Sequence, residues 1–280
     1  MRLRRVERSS NNAGLRKARW GRGRAGAVRL GLASVFSALA LACFTGLDVT
    51  LLLHDLGDEK ARKSPASSLK EQRVADFAGQ VLTTTETVWQ DIFKRQLQRQ
   101  YVPPEFVLYR GVTNSACGGA SATVGPFYCP EDQKTYLDLA FFETFSNRLG
   151  AKGDFAAAYV IAHEIAHHVQ NQLGILAQVD AAHKQANRVD GNKLIMRLEL
   201  QADCLSGIWA RNVSGLMERG DLEEALNAAR MMGDDHLQRA AGYVPQPHTF
   251  THGSSKQRAA WFKRGYDSGA LKDCDTFSAL

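Results

Sequence analysis

The sequence lacks internal repeats, paired C-x-x-C motifs and a second long apolar run. The absence of repeats excludes a repeat-built architecture, and the absence of paired C-x-x-C motifs argues against a Cys-rich zinc site. A single apolar run limits the chain to one membrane-spanning helix. The 280 residues, 44% hydrophobic and 23% charged, therefore fit one sizeable globular domain with an appendage.

Positive charge is concentrated at one end of the chain. Residues 1–29 hold ten Lys or Arg and one Glu, whereas the rest of the chain holds 25 Lys or Arg and 28 Asp or Glu. This basic arm has no aromatic residue except Trp20 and runs directly into apolar sequence, which argues against nucleic-acid binding. We predict no nucleic-acid partner and interpret residues 1–29 as a basic cytoplasmic arm.

The apolar run occupies residues 30–47, LGLASVFSALALACFTGL, and contains no charge. It is at the lower limit of length for a transmembrane helix, so we predict an anchor over residues 30–53. A polar linker over residues 54–72 and a domain over residues 73–280 follow. Because basic flanks stay in the cytoplasm, the sequence predicts a single-pass membrane protein with a periplasmic or extracellular domain.

Three alternatives to an uncleaved anchor remain open. Two A-x-A sequences in residues 38–42 fit a signal-peptide cleavage site, and Cys43 fits a lipoprotein site less well. An Arg-rich leader that is poor in acidic residues also fits a mitochondrial address in a eukaryote. The long basic region before the apolar run favours the uncleaved anchor.

The strongest chemical motif is HExxH, formed by His163, Glu164 and His167. On a helix the two imidazoles share one face with the carboxylate beside them, which is an arrangement that binds zinc and supplies a general base. Apolar residues flank the motif at helical spacing and predict a helix that buries one side and offers the histidines to a cleft. His168 lies about 100° further round the helix than His167, so we expect it to be no ligand.

A second amphipathic helix is predicted over residues 193–212, with Glu199 and Asp203 four residues apart beside its apolar face. Two histidines and one glutamate are a known ligand set for a catalytic zinc ion, with a fourth position left for water. Glu199 would complete the set. Asp203 would accept the other ring N–H of a ligand histidine and fix its tautomer.

The region before these helices mixes helix and strand. Residues 74–97 predict a first helix, and β-type runs follow at residues 105–110, 122–128 and 134–139. Strands before an HExxH helix resemble the zincin fold. That resemblance implies a small sheet above the active-site helix, with an exposed edge that pairs with a substrate strand. Residues 123–128 and 134–139 are equal candidates for that edge, and an ordinary core strand is the alternative for each.

His252 is the first candidate for stabilising the oxyanion that forms during peptide hydrolysis. Ser254 and Gln257 form a capping box that would fix the loop holding His252. A loop histidine without a catalytic role is the alternative. Weaker candidates for the same task are Tyr243, His248 and Tyr266.

Several stretches of the chain together resemble the putative neutral zinc metallopeptidase family of bacterial membrane-anchored proteins. They are AHEIAHHVQ, LELQADC, SACGGASATVGPFYCPED followed by TYLDLAFF, and FTHGSSKQRAAWFKRGYDSG. The resemblance covers nearly all of residues 73–280 and implies an α+β, zincin-like metallopeptidase domain behind a single N-terminal transmembrane helix. It also implies His163, His167 and Glu199 as zinc ligands, with Glu164 as the base.

One position departs from the family pattern. Ala166 stands where the family usually has Gly, and because Ala is the better helix former we expect no loss of activity. A more distant resemblance is to gluzincins that carry Glu-x-x-x-Asp on a second helix. The extended metzincin motif does not match, because Gln170 and Leu173 replace its Gly and third His.

Four of the five cysteines lie in the predicted domain: Cys117, Cys129, Cys204 and Cys274. An even number in an oxidising compartment favours disulfides, and three pairings are possible. Pairing Cys117 with Cys129 would close a Gly-rich loop, and pairing Cys204 with Cys274 would tie the glutamate helix to the C-terminus. Reduced, buried thiols are the alternative, and they are favoured if the predicted topology is wrong.

Together these features predict a membrane-anchored zinc peptidase that hydrolyses a peptide or protein substrate. The alternative is a catalytically idle zincin-like module that binds protein partners around a structural zinc. Glu164 favours the peptidase, because a purely structural site needs ligands but no base. The sequence specifies neither the substrate nor the oligomeric state.

Overall fold

The computed structural model describes Met1 and residues 65–120, 125–139, 141 and 153–278. The predicted anchor lies outside these residues, and so do Cys43 and all of the predicted basic arm except Met1. None of the described helices combines the length and hydrophobicity that crossing a membrane requires. The described residues form a mostly helical α+β domain with two small sheets.

The first helix, α1, spans Pro65–Ile92 and continues into a π-helical turn, Phe93–Leu97. It begins before the predicted start of the domain at residue 73, so the second part of the predicted linker is helical. Proline is tolerated in the first turn of a helix, where its missing N–H costs no hydrogen bond, and the Leu-Lys-Glu-Gln sequence that follows consists of strong helix formers. Gln98, in the left-handed conformation with φ of 53°, ends the turn.

Five short strands precede the HExxH helix: β1 Glu105–Tyr109, β2 Thr113–Ser115, β3 Gly118–Ala120, β4 Phe127–Cys129 and β5 Lys134–Asp138. The main sheet has the order β1-β5-β4, with β1 parallel and β4 antiparallel to β5. Because β5 is paired on both sides, the expectation that residues 134–139 could offer a free edge is wrong. Of the two candidates, the segment that contains β4 remains.

A separate antiparallel hairpin is formed by β2 and β3. The sequence did not predict it, because Thr-Asn-Ser and Gly-Gly-Ala show no alternation of apolar side chains. A disulfide between Cys117 and Cys129 joins its turn to β4. In the chain-entropy model, closing a loop of this length contributes about 3 kcal/mol to the free energy of unfolding.

Most of the described residues after the sheet lie in α-helices: α2 Asp154–Gln172, α3 Ile175–His183, α4 Arg188–Asn212, α5 Asp221–Met231, α6 Asp234–Ala240 and α7 Ser255–Ser268. Helix α2 is the centre of the domain, and its apolar residues are buried on several sides. The expectation that α2 buries only one side is therefore wrong. Within the HExxH motif, Glu164 and His167 are partly exposed, whereas His163 is buried.

Helices α4 and α7 approach each other unusually closely. A Cβ atom added to Gly265 would lie 1.8 Å from the carbonyl oxygen of Cys204, and one added to Gly207 would lie 2.0 Å from that of Phe262. Glycine is thus required at both positions. The disulfide between Cys204 and Cys274 holds the C-terminal segment against α4, and it is one of the pairings that the sequence left open.

Candidate metal centre

Helices α2 and α4 bring together three side chains able to hold a metal ion. The ligand atoms of His163, His167 and Glu199 all lie within 4.8 Å of one another. Glu199 Oε2 is 3.0 Å from His163 Nε2, and Glu199 Oε1 is 3.4 Å from His167 Nε2. Ligand atoms 2.0–2.1 Å from one ion at tetrahedral angles lie about 3.3 Å apart, so this donor set fits a zinc ion.

A buried group of polar side chains fixes His163. Its Nδ1 lies 3.0 Å from Oδ1 of Asp203, which is the contact predicted for Asp203. Arg258 donates two hydrogen bonds to the same carboxylate, from Nε at 2.9 Å and from Nη2 at 3.0 Å, and the Tyr159 hydroxyl donates a third at 2.5 Å. Because Nδ1–H of His163 donates to Asp203, its Nε2 is left for a metal.

The contacts of this buried group shift the pKa values of its histidines and of Glu199. Burial opposes the charge of His163, but its hydrogen bonds with Asp203 and Glu199 raise its pKa to about 9. Burial also opposes the charge of Glu199, yet His167 and His163 hold its pKa well below the usual range. Burial lowers the pKa of His167. A metal ion that displaces the proton of His163 would therefore meet an anionic Glu199 and a neutral His167.

Glu164 lies next to the His-His-Glu cluster and is not a member of it. Burial raises the pKa of Glu164 to about 8, and nearby Glu199 adds to the shift. His163 and a hydrogen bond from the backbone of Tyr128, on β4, act in the opposite direction. A carboxyl group whose pKa lies near neutrality is suited to accept and release a proton.

His252 is buried, and Asp234 fixes both its backbone and its side chain. Oδ2 of Asp234 accepts hydrogen bonds from the backbone N–H groups of Thr251, His252 and Gly253 at 2.7–3.1 Å. Oδ1 lies 3.1 Å from His252 Nδ1. Burial opposes the charge of His252, but Asp234 and nearby Glu199 raise its pKa, so the imidazole tends to carry a proton.

The other histidine and tyrosine candidates lie in different surroundings. His168 is buried, with Nδ1 3.0 Å from the Tyr128 hydroxyl and Nε2 2.7 Å from the Val102 carbonyl oxygen, so it joins α2 to β4 and to the residues before the sheet. Tyr243 is an exposed loop residue, and His248 is exposed in the short 3₁₀-helix Pro247–Thr249. Tyr266 is half-buried on α7, where its carbonyl oxygen accepts a hydrogen bond from Arg211.

The sequence interpretation missed Arg258, Asp234 and Gln170. An arginine in a helix normally suggests an exposed residue, but Arg258 is 1% exposed. A signal was present, since Arg258 lies one turn before Phe262 and so falls on the apolar face of α7. Asp234 and Gln170 lie in polar stretches that gave no such signal.

These observations define a class of protein: an α+β protein in which an HExxH helix and a second helix form a His-His-Glu cluster able to hold a metal ion. The model of the family described as putative neutral zinc metallopeptidase matches residues 1–277, and the chain belongs to that family. The resemblance seen in the sequence is thereby confirmed.

Relatives of the chain occur in Escherichia coli and in Mycobacterium tuberculosis. The uncharacterized protein YpfJ of Escherichia coli strain K12 is 44% identical over 239 residues, which are 85% of this chain and 83% of that protein. The uncharacterized protein Rv2575 of Mycobacterium tuberculosis H37Rv is 39% identical over 209 residues, 70% of this chain and 68% of that protein. No solved structure matches the chain significantly.

Proposed function

We propose that the protein is a zinc-dependent peptidase that hydrolyses peptide bonds with Glu164 as the general base. The observation that carries the proposal is the separation of tasks within HExxH. His163 and His167 point their Nε2 atoms at Glu199, while Glu164 stays outside the ligand cluster with a pKa of about 8. A structural metal site would require no such carboxyl group.

A zinc ion bound by the three ligands would lower the pKa of a water molecule and polarise the carbonyl group of the substrate. Glu164 accepts the proton of the attacking water and delivers it to the leaving amine. His252, whose ring is held by Asp234 and whose pKa Asp234 raises, donates a hydrogen bond to the negative charge that develops on the carbonyl oxygen. Asp203 and Arg258 hold His163 in place throughout.

The substrate is proposed to bind as an extended strand along β4, in a zincin-like arrangement. Strand β4 pairs with β5 on one side only within the described residues. The backbone of Tyr128 on this strand hydrogen-bonds Glu164, so β4 lies at the cleft that holds the base. An added strand would gain main-chain hydrogen bonds there with the scissile bond near the metal.

The peptidase proposal is tested on the purified full chain by metal analysis and digestion of a peptide library. We expect one zinc per chain and cleavage that stops when a chelator removes the metal and resumes when zinc is added. Intact folding and bound zinc without cleavage of any peptide would favour the alternative, a catalytically idle module that binds protein partners.

We also propose that residues 30–53 anchor the protein in a membrane, with the basic arm in the cytoplasm and the peptidase domain periplasmic or extracellular. The two disulfides support an oxidising location for the domain. One contact argues against this topology, because the proposal puts Met1 and the domain on opposite sides of the membrane: the ammonium group of Met1 lies 3.1 Å from Asp154 and 3.3 Å from Asp221.

Thiol labelling of the full chain, together with a reporter fusion, tests the proposed location of the domain. When protein purified without reductant is denatured, we expect one reactive thiol, Cys43. After reduction we expect five. A reporter fused after Leu280 should be active only beyond the membrane. Free thiols at Cys117 and Cys129 in native material would contradict the proposed topology. An intact mass that lacks the N-terminal residues before Cys43 would indicate cleavage.

A further inference from the structure

We propose that Gln170 is a positioning residue of the metal centre, which holds the proton of His167 on Nδ1 so that Nε2 is free for the metal. The inference rests on the proposed zinc site and concerns how its second histidine is oriented. Asp203 performs the equivalent task for His163 with a negative charge, whereas Gln170 is neutral.

The direction of each hydrogen bond around Gln170 follows from a backbone carbonyl. Nε2 of Gln170 lies 2.7 Å from the carbonyl oxygen of Leu198 and 3.0 Å from Oε1 of Gln201. A carbonyl oxygen only accepts hydrogen bonds, so the Gln170 atom that faces it is the amide nitrogen. Oε1 of Gln170 is then the atom that lies 2.9 Å from His167 Nδ1. Because Oε1 cannot donate, Nδ1 must carry the proton.

The orientation of Gln201 is fixed in the same way. Its Nε2 donates to the carbonyl oxygen of Cys274 at 3.0 Å, which leaves its Oε1 to accept from Gln170. Both glutamines are buried, with exposed fractions of 0% for Gln170 and 7% for Gln201. Cys274 is itself held to α4 by its disulfide with Cys204. Three hydrogen bonds therefore link the disulfide-held C-terminal segment to His167.

A neutral imidazole can carry its proton on either nitrogen, and the form protonated on Nε2 cannot bind a metal through that atom. Holding the proton on Nδ1 makes the ligand lone pair available before the ion arrives. Loss of such a partner typically weakens metal binding by about 10–100-fold. Gln170 therefore contributes to zinc affinity without contacting the ion.

The first experiment measures the tautomer of His167 by ¹⁵N NMR of the metal-free full chain labelled at histidine, with His167→Gln providing the assignment. We expect the proton on Nδ1. A His167 protonated on Nε2 in the wild-type protein would overturn the proposal, whatever the variants do.

The second experiment measures zinc affinity by competition with a chelator. Gln170→Met keeps the length of the side chain but removes the acceptor, and we expect zinc binding to weaken by about 10–100-fold. Gln170→Glu keeps the acceptor that faces His167, but its second oxygen faces two other acceptors, so this variant should be less stable than the wild type while binding zinc more tightly than Gln170→Met. The matched control is Gln201→Met, which loses buried hydrogen bonds but leaves Gln170 oriented by Leu198, so it should be less stable yet bind zinc as the wild type does.

Equal losses of zinc affinity in Gln170→Met and Gln201→Met would overturn the proposal, because Gln170 would then act only through packing. If Gln170→Met does not fold, the wild-type tautomer and Gln170→Glu decide the question. A chain that shows the expected tautomer and affinities but cleaves no peptide would count against the proposed peptidase function alone.

Discussion

Glu164→Gln in the full chain is expected to lower peptide cleavage by roughly 10²-fold or more with no loss of zinc. Gln keeps the size and hydrogen bonding of Glu but cannot accept the proton of the attacking water. Since burial already raises the pKa of Glu164 to about 8, a neutral side chain suits its surroundings and the fold should be retained. Turnover of a peptide substrate measures cleavage, metal analysis measures bound zinc, and a thermal melt measures the stability of the fold.

The control for this substitution is Glu223→Gln, an exposed residue of α5 whose change should leave all three quantities at the wild-type level. In the same assay, His252→Ala should lower turnover and keep the zinc, because His252 is proposed to bind the oxyanion and not the metal. Cleavage at the wild-type rate by Glu164→Gln would rule out the proposed base.

Glu199→Ala is expected to produce the second large effect, the loss of zinc under conditions in which the wild type keeps it. The substitution removes the one anionic ligand and leaves two histidines. Loss of a partner behind a ligand weakens binding by about 10–100-fold, so loss of the ligand itself should cost more than 10²-fold in affinity. Chelator competition on the full chain measures the affinity, and activity should fall with occupancy.

Glu223→Ala serves as the matched control for the metal measurement, since it removes an exposed carboxylate far along the chain from the ligand. Full zinc occupancy at wild-type affinity in Glu199→Ala would mean that the third ligand is another residue. Retention of the fold is followed separately, so that loss of metal is not confused with unfolding.

The part of the site that could be predicted from sequence is the part that depends on local spacing. Residues four apart on a helix share a face, so His163 with His167, and Glu199 with Asp203, could be grouped before any tertiary structure was known. Their meeting across two helices followed from the chemistry of a zinc ligand set and from resemblance to a family.

What could not be predicted depends on contacts between distant segments. The edge strand was left undecided because the composition of a strand does not reveal which other strands it pairs with in the sheet. Arg258 was missed because helical periodicity does not reveal which charged side chain finds a buried partner. The helix α1 begins eight residues before the predicted start of the domain, because residues 65–72 contain strong helix formers. This part of the helix was missed because the stretch is polar and lacks an apolar face.

The metal centre depends on how closely the backbones of α4 and α7 approach each other. Arg258 and Gly265 lie two turns apart on α7, and Asp203 and Gly207 lie one turn apart on α4, so the glycine contacts and the ion pair share one seam. A single methyl group at either glycine would act as a spacer that draws the guanidinium away from the carboxylate. The positions least tolerant of variation are therefore expected to include two residues that bear no side chain, bind no metal and touch no substrate.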